Sequence, residues 1–502
     1  MIREYYKNIV NGLDVKENLL AVKELLKDVT KGSRSKEALL LMMNGDFSVL
    51  TGLLKDQDPK IRKNSAVVLG ILGFKESLND LFEAYTSDEI MYNKAAYVEA
   101  IRKIDYTPYK DQLRARFDEL KKAGITEENK KHVLDEMKQL KNIFGTGKPE
   151  FVGFNLLNEV ILTTNRNHKK VTEEALGDEE YRDFPAGLIV RTRKLRQILP
   201  IRTYDEILFI PDKVKTVSNN PELAAKELLD GNIKEYVFSR IGIVGEKENG
   251  SKDLRVSFRT ELKLKSKEKN SDFIKKFSNE LETLSSWEFS NSVSDYNIEF
   301  RFVENSKGSL NVLVKFLILK DVRFTYRRET IASSIRPYIA ATLMQLAKPY
   351  MTGNAVVLDP FCGTGTFIVE HELAVNARMY YGIDIFGEAV NKASSNLKSA
   401  GLLKKTELIN KDFFDFEHEY RFDEIVTDMP FVTEKKSLDD IEKIYRMFFK
   451  KADALLEKKA VMIIYSRNSE FVEKYYEESG CSIRERFEIS KKEGSYLFVL
   501  TR

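Results

Sequence analysis

The stretch Val356-Val357-Leu358-Asp359-Pro360-Phe361-Cys362-Gly363-Thr364-Gly365-Thr366-Phe367 constrains this chain more than any other. An apolar run of strand type stops at Asp-Pro, a turn carries two glycines, and a helical pattern begins near Thr366. Buried parallel strand, tight glycine turn and helix is how an α/β nucleotide-fold domain begins. Ligands on such sheets bind beyond the carboxyl ends of the strands. Asp359, Phe361, Gly363, Thr364, Gly365 and Thr366 are therefore predicted to form the floor of a cofactor pocket.

Three more strands are predicted to end in an acid. Tyr380-Tyr381-Gly382-Ile383-Asp384 precedes Ile385, Leu408-Ile409-Asn410-Lys411-Asp412 precedes Phe413, and Asp423 to Asp428 precedes Met429-Pro430-Phe431. A dinucleotide site wants G-x-G-x-x-G, but the third glycine position is Ile368, and no Gly-Lys-Ser/Thr follows to make a P-loop. S-adenosylmethionine has no phosphates and needs no third glycine. Its ribose diol suits Asp384, and its adenine suits the carboxylate of Asp412 and the ring of Phe413. One acid after a strand is commonly a helix cap; four in register point to a site. Ala460 to Tyr465 is predicted as a fifth strand. Ser482 to Ile489 and Ser495 to Leu500 flank a turn too short for a crossover helix, so they must be antiparallel.

The Asp-Pro-x-Cys-Gly-Thr-Gly-Thr and Asp-Met-Pro-Phe blocks resemble class I methyltransferases that act on the exocyclic N2 of guanosine in RNA, above all the THUMP-domain tRNA guanine-N2 methyltransferases. The resemblance runs over roughly residues 155 to 502, strongest in the last third. It implies an S-adenosylmethionine-dependent enzyme forming N2-methylguanosine, with a tRNA acceptor stem as first expectation. An rRNA guanine-N2 or other base-amine methyltransferase, or a non-catalytic RNA-binding scaffold, are the alternatives. Asp428 and a backbone carbonyl near Met429 or Pro430 would accept the two amine N–H bonds, and Phe431 would stack on the base. Met429 stands where many members have proline, and Val432 where glycine usually follows. Arg336, before Pro337, pairs with the methionine carboxylate on one reading and caps its own loop on the other. Cys362 reads as a packing residue rather than a nucleophile.

The rest of the chain points to a multidomain protein. With 502 residues, about three domains are expected at ~100–200 residues each. Residues 1–145 show helical spacing. Asp56-Gln57-Asp58-Pro59-Lys60-Ile61-Arg62, followed by Ala66 and Leu69-Gly70, resembles a HEAT repeat, with weaker copies over 33–50 and 78–104. Such units bury their faces by stacking, leaving a concave surface for a protein or RNA partner. The breaker cluster Phe144 to Glu150 marks a boundary. Residues 151–328 alternate short strands and helices, resembling a ferredoxin-like piece followed by a THUMP-like module. This central α+β part implies a grip on RNA, with Arg191, Arg193, Arg196, Arg255 and Arg259 as candidates. Residues 329–350 connect it to an α/β Rossmann-like, seven-stranded class I methyltransferase domain over 351–502.

Charge does not announce a partner, since 81 basic and 78 acidic residues leave a net +3; any RNA surface must be local. Two cysteines cannot frame a disulfide scaffold, and no long apolar run suggests a leader or a membrane span. A cytoplasmic location is the default. His132, His168, His371 and His418 show no metal-ligand spacing, so no metal is expected.

Overall fold

The computed structural model of the chain describes residues 2–28, 32–122, 129–144, 149–243, 256–265, 270–286, 288–432 and 437–502. Contacts divide it into two units, one mainly Met1–Glu150, the other built from Phe151–Gly242, Ser257–Glu280 and Asn291–Arg502. Among the described residues no single helix is long and apolar enough to cross a membrane.

The first unit is helical throughout its described residues up to Phe144. Helix Pro59–Leu72 begins as its sequence dictates. Pro59 takes the first helical position, where its missing amide is harmless, and the Asp58 carboxylate accepts from the Lys60 amide at 2.8 Å. Helices Val15–Lys27, Pro59–Leu72, Met91–Ile104 and Lys130–Phe144 pack one on the next in that order. At one crossing the backbones touch, for a Cβ on Gly70 would come 2.7 Å from Ala100 Cα. Arg62 forks onto Asp88, in the turn before the next helix, through two bonds of 2.9 Å. The boundary residues 145–148 lie outside the described residues.

In the second unit the two pieces expected over 151–328 share one sheet. Seven of its nine strands run Glu180–Phe184, Gly187–Thr192, Asn158–Thr164, Tyr204–Phe209, Leu310–Phe316, Ile298–Glu304 and Val256–Lys263, in that spatial order, with Phe289–Asn291 beyond the last and Thr216–Val217 pairing with Leu310–Phe316. Tyr204–Phe209 is the splice, pairing with Asn158–Thr164 on one side and, through Phe209 and Val314, with Leu310–Phe316 on the other.

The carboxy-terminal sheet has seven strands: β1 (Val356–Asp359), β2 (Met379–Asp384), β3 (Thr406–Asn410), β4 (Phe422–Asp428), β5 (Leu456–Ser466), β6 (Ser482–Ser490) and β7 (Ser495–Thr501). Their spatial order is β3-β2-β1-β4-β5-β7-β6. The first five are mutually parallel, and β7 lies antiparallel to both β5 and β6, as the short turn requires. The chain winds outward through β2 and β3 and then returns to β4 beside β1. A crevice opens where the winding reverses, and Asp359 and Asp428 are the last residues of the two strands that flank it. One expected boundary shifts: the third strand stops at Asn410, short of Asp412 and Phe413.

Two groups of polar contacts tie the central sheet to this domain. Arg202 forks onto the buried Glu370 at 2.6 and 3.0 Å, and the Tyr326 hydroxyl donates to the same carboxylate at 2.7 Å. Asn165 Nδ2 donates to the Ile489 carbonyl at 2.9 Å, and the His168 ring lies 2.8 Å from the Glu488 carbonyl.

Candidate active site

The loop after β1 folds around its two glycines. Gly363 has φ 52° and Gly365 φ 78°, values that favour a residue without Cβ, and the Gly365 amide donates to the Cys362 carbonyl at 2.8 Å. Gly365 caps the helix Thr366–Ala374, so Thr366 starts it, buried. Thr364, also buried, has its hydroxyl oxygen 3.1 Å from that of Ser334. Asp384, closing β2, is drawn to this loop: its carboxylate accepts from the Gly363 amide at 2.9 Å and from Phe386 at 2.9 Å.

Asp359 accepts from the Phe361 amide at 3.3 Å, yet its Oδ2 is enclosed without a hydrogen-bond partner. Burial, reinforced by Asp384 and Asp428, pushes its carboxyl well above the usual range. Asp428 closes β4 opposite Tyr465, and the Met429 amide donates to the Tyr465 carbonyl at 2.9 Å. Its Oδ1 is likewise enclosed and unpartnered. Burial raises Asp428 to about 7, against the opposing pull of Arg467. Three of the four strand-end acids therefore meet at one rim, and two keep an unused acceptor atom.

The other expected residues divide. Pro430 and Phe431 continue from Asp428, and Phe431 helps line a cavity of about 720 Å³ with Arg166, Arg336, Tyr465, Arg467 and Lys491 among its walls. Arg336 does not cap its own loop; it reaches Asp205 at 3.6 Å and otherwise faces this cavity. Asp412 caps its own short turn by accepting from the Phe414 amide at 2.9 Å. Phe413 is buried, its ring edge-on to Phe361 at 5.7 Å and close to Phe448, so it packs in the core instead of offering an open face. Ile385 is exposed. Cys362 is buried and burial holds its thiol well above the ordinary range, which suits packing and not attack.

Of the arginines proposed for RNA, Arg191, Arg193 and Arg196 are exposed on one strand end, the turn after it and the short helix Leu195–Ile198. Arg196 lies over the Phe154 ring at 3.7 Å. Arg259 stands apart, with Glu299 at 3.2 Å and Glu261 at 3.8 Å already compensating its charge. Arg255 lies outside the described residues. Of the basic walls of the cavity, Arg336 was expected from the sequence, whereas Arg166, Arg467, Lys491 and Lys492 were missed. Lys491 and Lys492 showed only a turn signal, and Arg467 could have been found as the residue just beyond the carboxyl end of a parallel strand.

Residues 325–493 match the family model described as UPF0020: RMKL-like, methyltransferase domain. The chain carries a methyltransferase domain. Over 123 residues it is 30% identical to the U6 snRNA (guanine-N(2))-methyltransferase THUMPD2 of Bos taurus, covering 23% of this chain and 24% of that protein. Over 155 residues it is 30% identical to the tRNA (guanine(10)-N2)-dimethyltransferase of Methanothermobacter thermautotrophicus, covering 31% of this chain and 44% of that protein. The chain thus spans less than half the length of these curated relatives. The crystal structure of TrmN from Thermus thermophilus superposes with a TM-score of 0.50 at 16% identity, covering 69% of this chain and 99% of that one. At that identity the fold alone is shared, and the coverage is larger than the methyltransferase domain.

S-adenosylmethionine is the cofactor such a domain takes, and the residues present fit it. A sulfonium and an ammonium group bring positive charge to a rim where Asp359, Asp384 and Asp428 repel one another, and the unused Asp359 Oδ2 is a ready acceptor. Asp384, held against the Gly363 amide, is placed for a ribose diol.

A pH dependence follows. If an amine N–H is to be accepted by Asp428, the ionised carboxylate is the form that would do so, and its protonation is favoured below about 7. The kcat/KM of the methyltransferase domain should rise with pH through a single-proton midpoint near 7. The kcat midpoint should lie lower, because a bound sulfonium favours the carboxylate. Initial rates from pH 5.5 to 9 at limiting and saturating cofactor would check it; a flat kcat/KM profile would contradict it.

Proposed function

We propose that the chain is an S-adenosylmethionine-dependent RNA methyltransferase that forms N2-methylguanosine, with a tRNA acceptor stem as the first substrate to test. One observation carries the reading: Asp428, with an enclosed and unused carboxylate oxygen, stands three residues before Phe431, which lines a cavity with basic walls. Guanine-N2 activity in the names of the two relatives supports it.

When bound, the cofactor supplies a methyl group on a sulfonium, whose bonding electrons stay with sulfur as a neutral thioether. The chain's own task is to present the amine. A guanine amine is a poor nucleophile because its lone pair is delocalised into the ring. Asp428 accepts one N–H and a carbonyl near Met429 or Pro430 the other, which favours the pyramidal nitrogen that attacks. Asp428 also takes the proton the amine loses, and passes it to solvent. Phe431 offers its ring to a base drawn out of its stack. Positioning supplies most of the acceleration, with no covalent intermediate.

Exposed Arg191, Arg193 and Arg196 form no ion pair among the described residues, which supports an RNA-facing patch there. The strand, helix and strand order from Val256 to Phe316 supports reading that part as THUMP-like. Stacked helices up to Phe144 and the Arg62–Asp88 fork support a HEAT-like array that docks a protein or RNA partner. Two buried, unpaired cysteines support a reducing, cytoplasmic setting.

Purified protein, tritium-labelled cofactor and total RNA from cells lacking the gene would test the function. The expected product is N2-methylguanosine in tRNA, identified by nucleoside mass spectrometry. Label in rRNA alone would move the substrate and keep the chemistry. Cofactor binding with no labelled RNA would overturn the enzymatic reading in favour of an RNA-binding scaffold.

A further inference from the structure

Arg467 is the cation nearest the candidate chemistry. Its position is set by its neighbours. The Ser466 and Tyr445 hydroxyls lie 2.8 Å apart, and the Asn468 amide donates to Ser466 Oγ at 2.9 Å, so the backbone on both sides of Arg467 is pinned. Asp428 and Tyr465 are register partners on adjacent parallel strands. Arg467, two residues past Tyr465, therefore stands one strand spacing from the Asp428-Met429-Pro430 segment, ~4.8 Å. Its guanidinium carbon sits 3.8 Å from the centre of the Phe431 ring and 6.0 Å from that of Tyr465. Both rings line the cavity with it.

A guanidinium lying flat on an aromatic face still has its in-plane N–H donors, five in all. Among the described residues Arg467 has no hydrogen-bonding partner for them. It also covers one face of the Phe431 ring, so a base stacking on that face must move it aside. Guanine held at N2 by Asp428 turns its O6 and N7 toward the far side of the site. These two adjacent acceptors match the arginine fork, whereas adenine shows an amine donor at the same place.

Resting on the guanine-N2 reading, we propose that Arg467 is the residue that selects guanine: displaced from Phe431 by the incoming base, it donates to O6 and N7 while Asp428 holds the amine. A base without those acceptors displaces the guanidinium and leaves it unbonded. Selection and stacking are then one event, because the group that vacates the ring is the group that reads the base.

2,6-Diaminopurine separates this from the underlying function, since it keeps the N2 amine and replaces O6 with an amine donor. An RNA carrying the nucleotide labelled in the assay above would be synthesised with guanine or with 2,6-diaminopurine at that position. The wild-type protein should prefer guanine in kcat/KM. Assayed at pH 9, so that losing the pull of Arg467 on Asp428 slows neither base appreciably, Arg467→Ala should lose about 10–100-fold on guanine and little on the analogue, so that the preference collapses, with S-adenosylmethionine affinity by calorimetry unchanged. Arg467→Lys, which keeps a charge beside Phe431 and can still donate to O6 and N7 from its ammonium group, should retain part of the preference while holding the pH midpoint of kcat/KM near the wild-type value. Equal losses on both bases in the two variants, or no loss, would overturn the assignment while leaving the guanine-N2 activity standing. A wild-type protein that methylates neither RNA would end both readings together.

Discussion

Asp428→Ala is expected to lower kcat by about 10²–10⁴-fold while the protein still binds S-adenosylmethionine and melts as the wild type does. The carboxylate has two tasks, and substitutions separate them. Asparagine keeps an acceptor at nearly the same place, so it can still orient the amine, but it cannot take a proton. Alanine removes both. Asp428→Asn should therefore fall between wild type and alanine, and the residual pH dependence near 7 should vanish in both variants. Stability should not suffer, because Asp428 Oδ1 has no hydrogen bond to lose, and removing an enclosed charge relieves a desolvation cost. Single-turnover rates with excess enzyme, beside calorimetric titration of the cofactor, would measure the effect. Turnover by the alanine variant within a few-fold of wild type would remove Asp428 from the chemistry and leave it as one more repelling acid on the rim.

How much of this site the sequence announced depends on how locally each part is encoded. The strand, glycine turn and helix from Val356 to Ala374 are written in neighbouring residues, as is the terminal hairpin, because Lys491-Lys492-Glu493-Gly494 leaves no length for a crossover. Strand Glu180–Phe184 was not legible because it is exposed along nearly its whole length and shows no apolar alternation. Tyr204–Phe209 carries two adjacent acids that break the strand pattern. Phe413 misled for a different reason: an aromatic after an acid reads alike whether it meets a ligand or Phe361 and Phe448 in the core. Arg259 already has Glu261 two residues along on the same face of its own strand, and the parallel neighbour Ile298–Glu304 brings the closer Glu299 against it. Arg166, Arg336 and Arg467 reach one cavity from three distant parts of the chain, a convergence that no spacing rule records.

Breaking the buried Arg202–Glu370 pair should have the largest effect on stability. Glu370 is almost wholly buried and accepts from the Arg202 fork and from the Tyr326 hydroxyl at once. Glu370→Ala leaves a half-buried cation and a buried hydroxyl unsatisfied, at a cost of about 3–5 kcal/mol and a fall in Tm on the order of 10 °C. Replacing both members, Arg202→Met with Glu370→Met, leaves the Tyr326 hydroxyl and the Arg323 carbonyl without these partners and should recover part of that loss. The double-mutant cycle then isolates the coupling from the burial. Its consequence for function is separable too. Asn165 and His168 still hold the central sheet to Ile489 and Glu488, so the alanine variant should stay docked but loosened. Cofactor affinity, which depends on the rim of the carboxy-terminal sheet, should be unchanged below the melting range. The KM for RNA should rise, because a substrate gripped by the central sheet would no longer be held at a fixed angle to Asp428. A Tm drop with an unaltered KM for RNA would mean that the pair only stabilises the unit, and that the RNA is positioned entirely by the walls of the cavity.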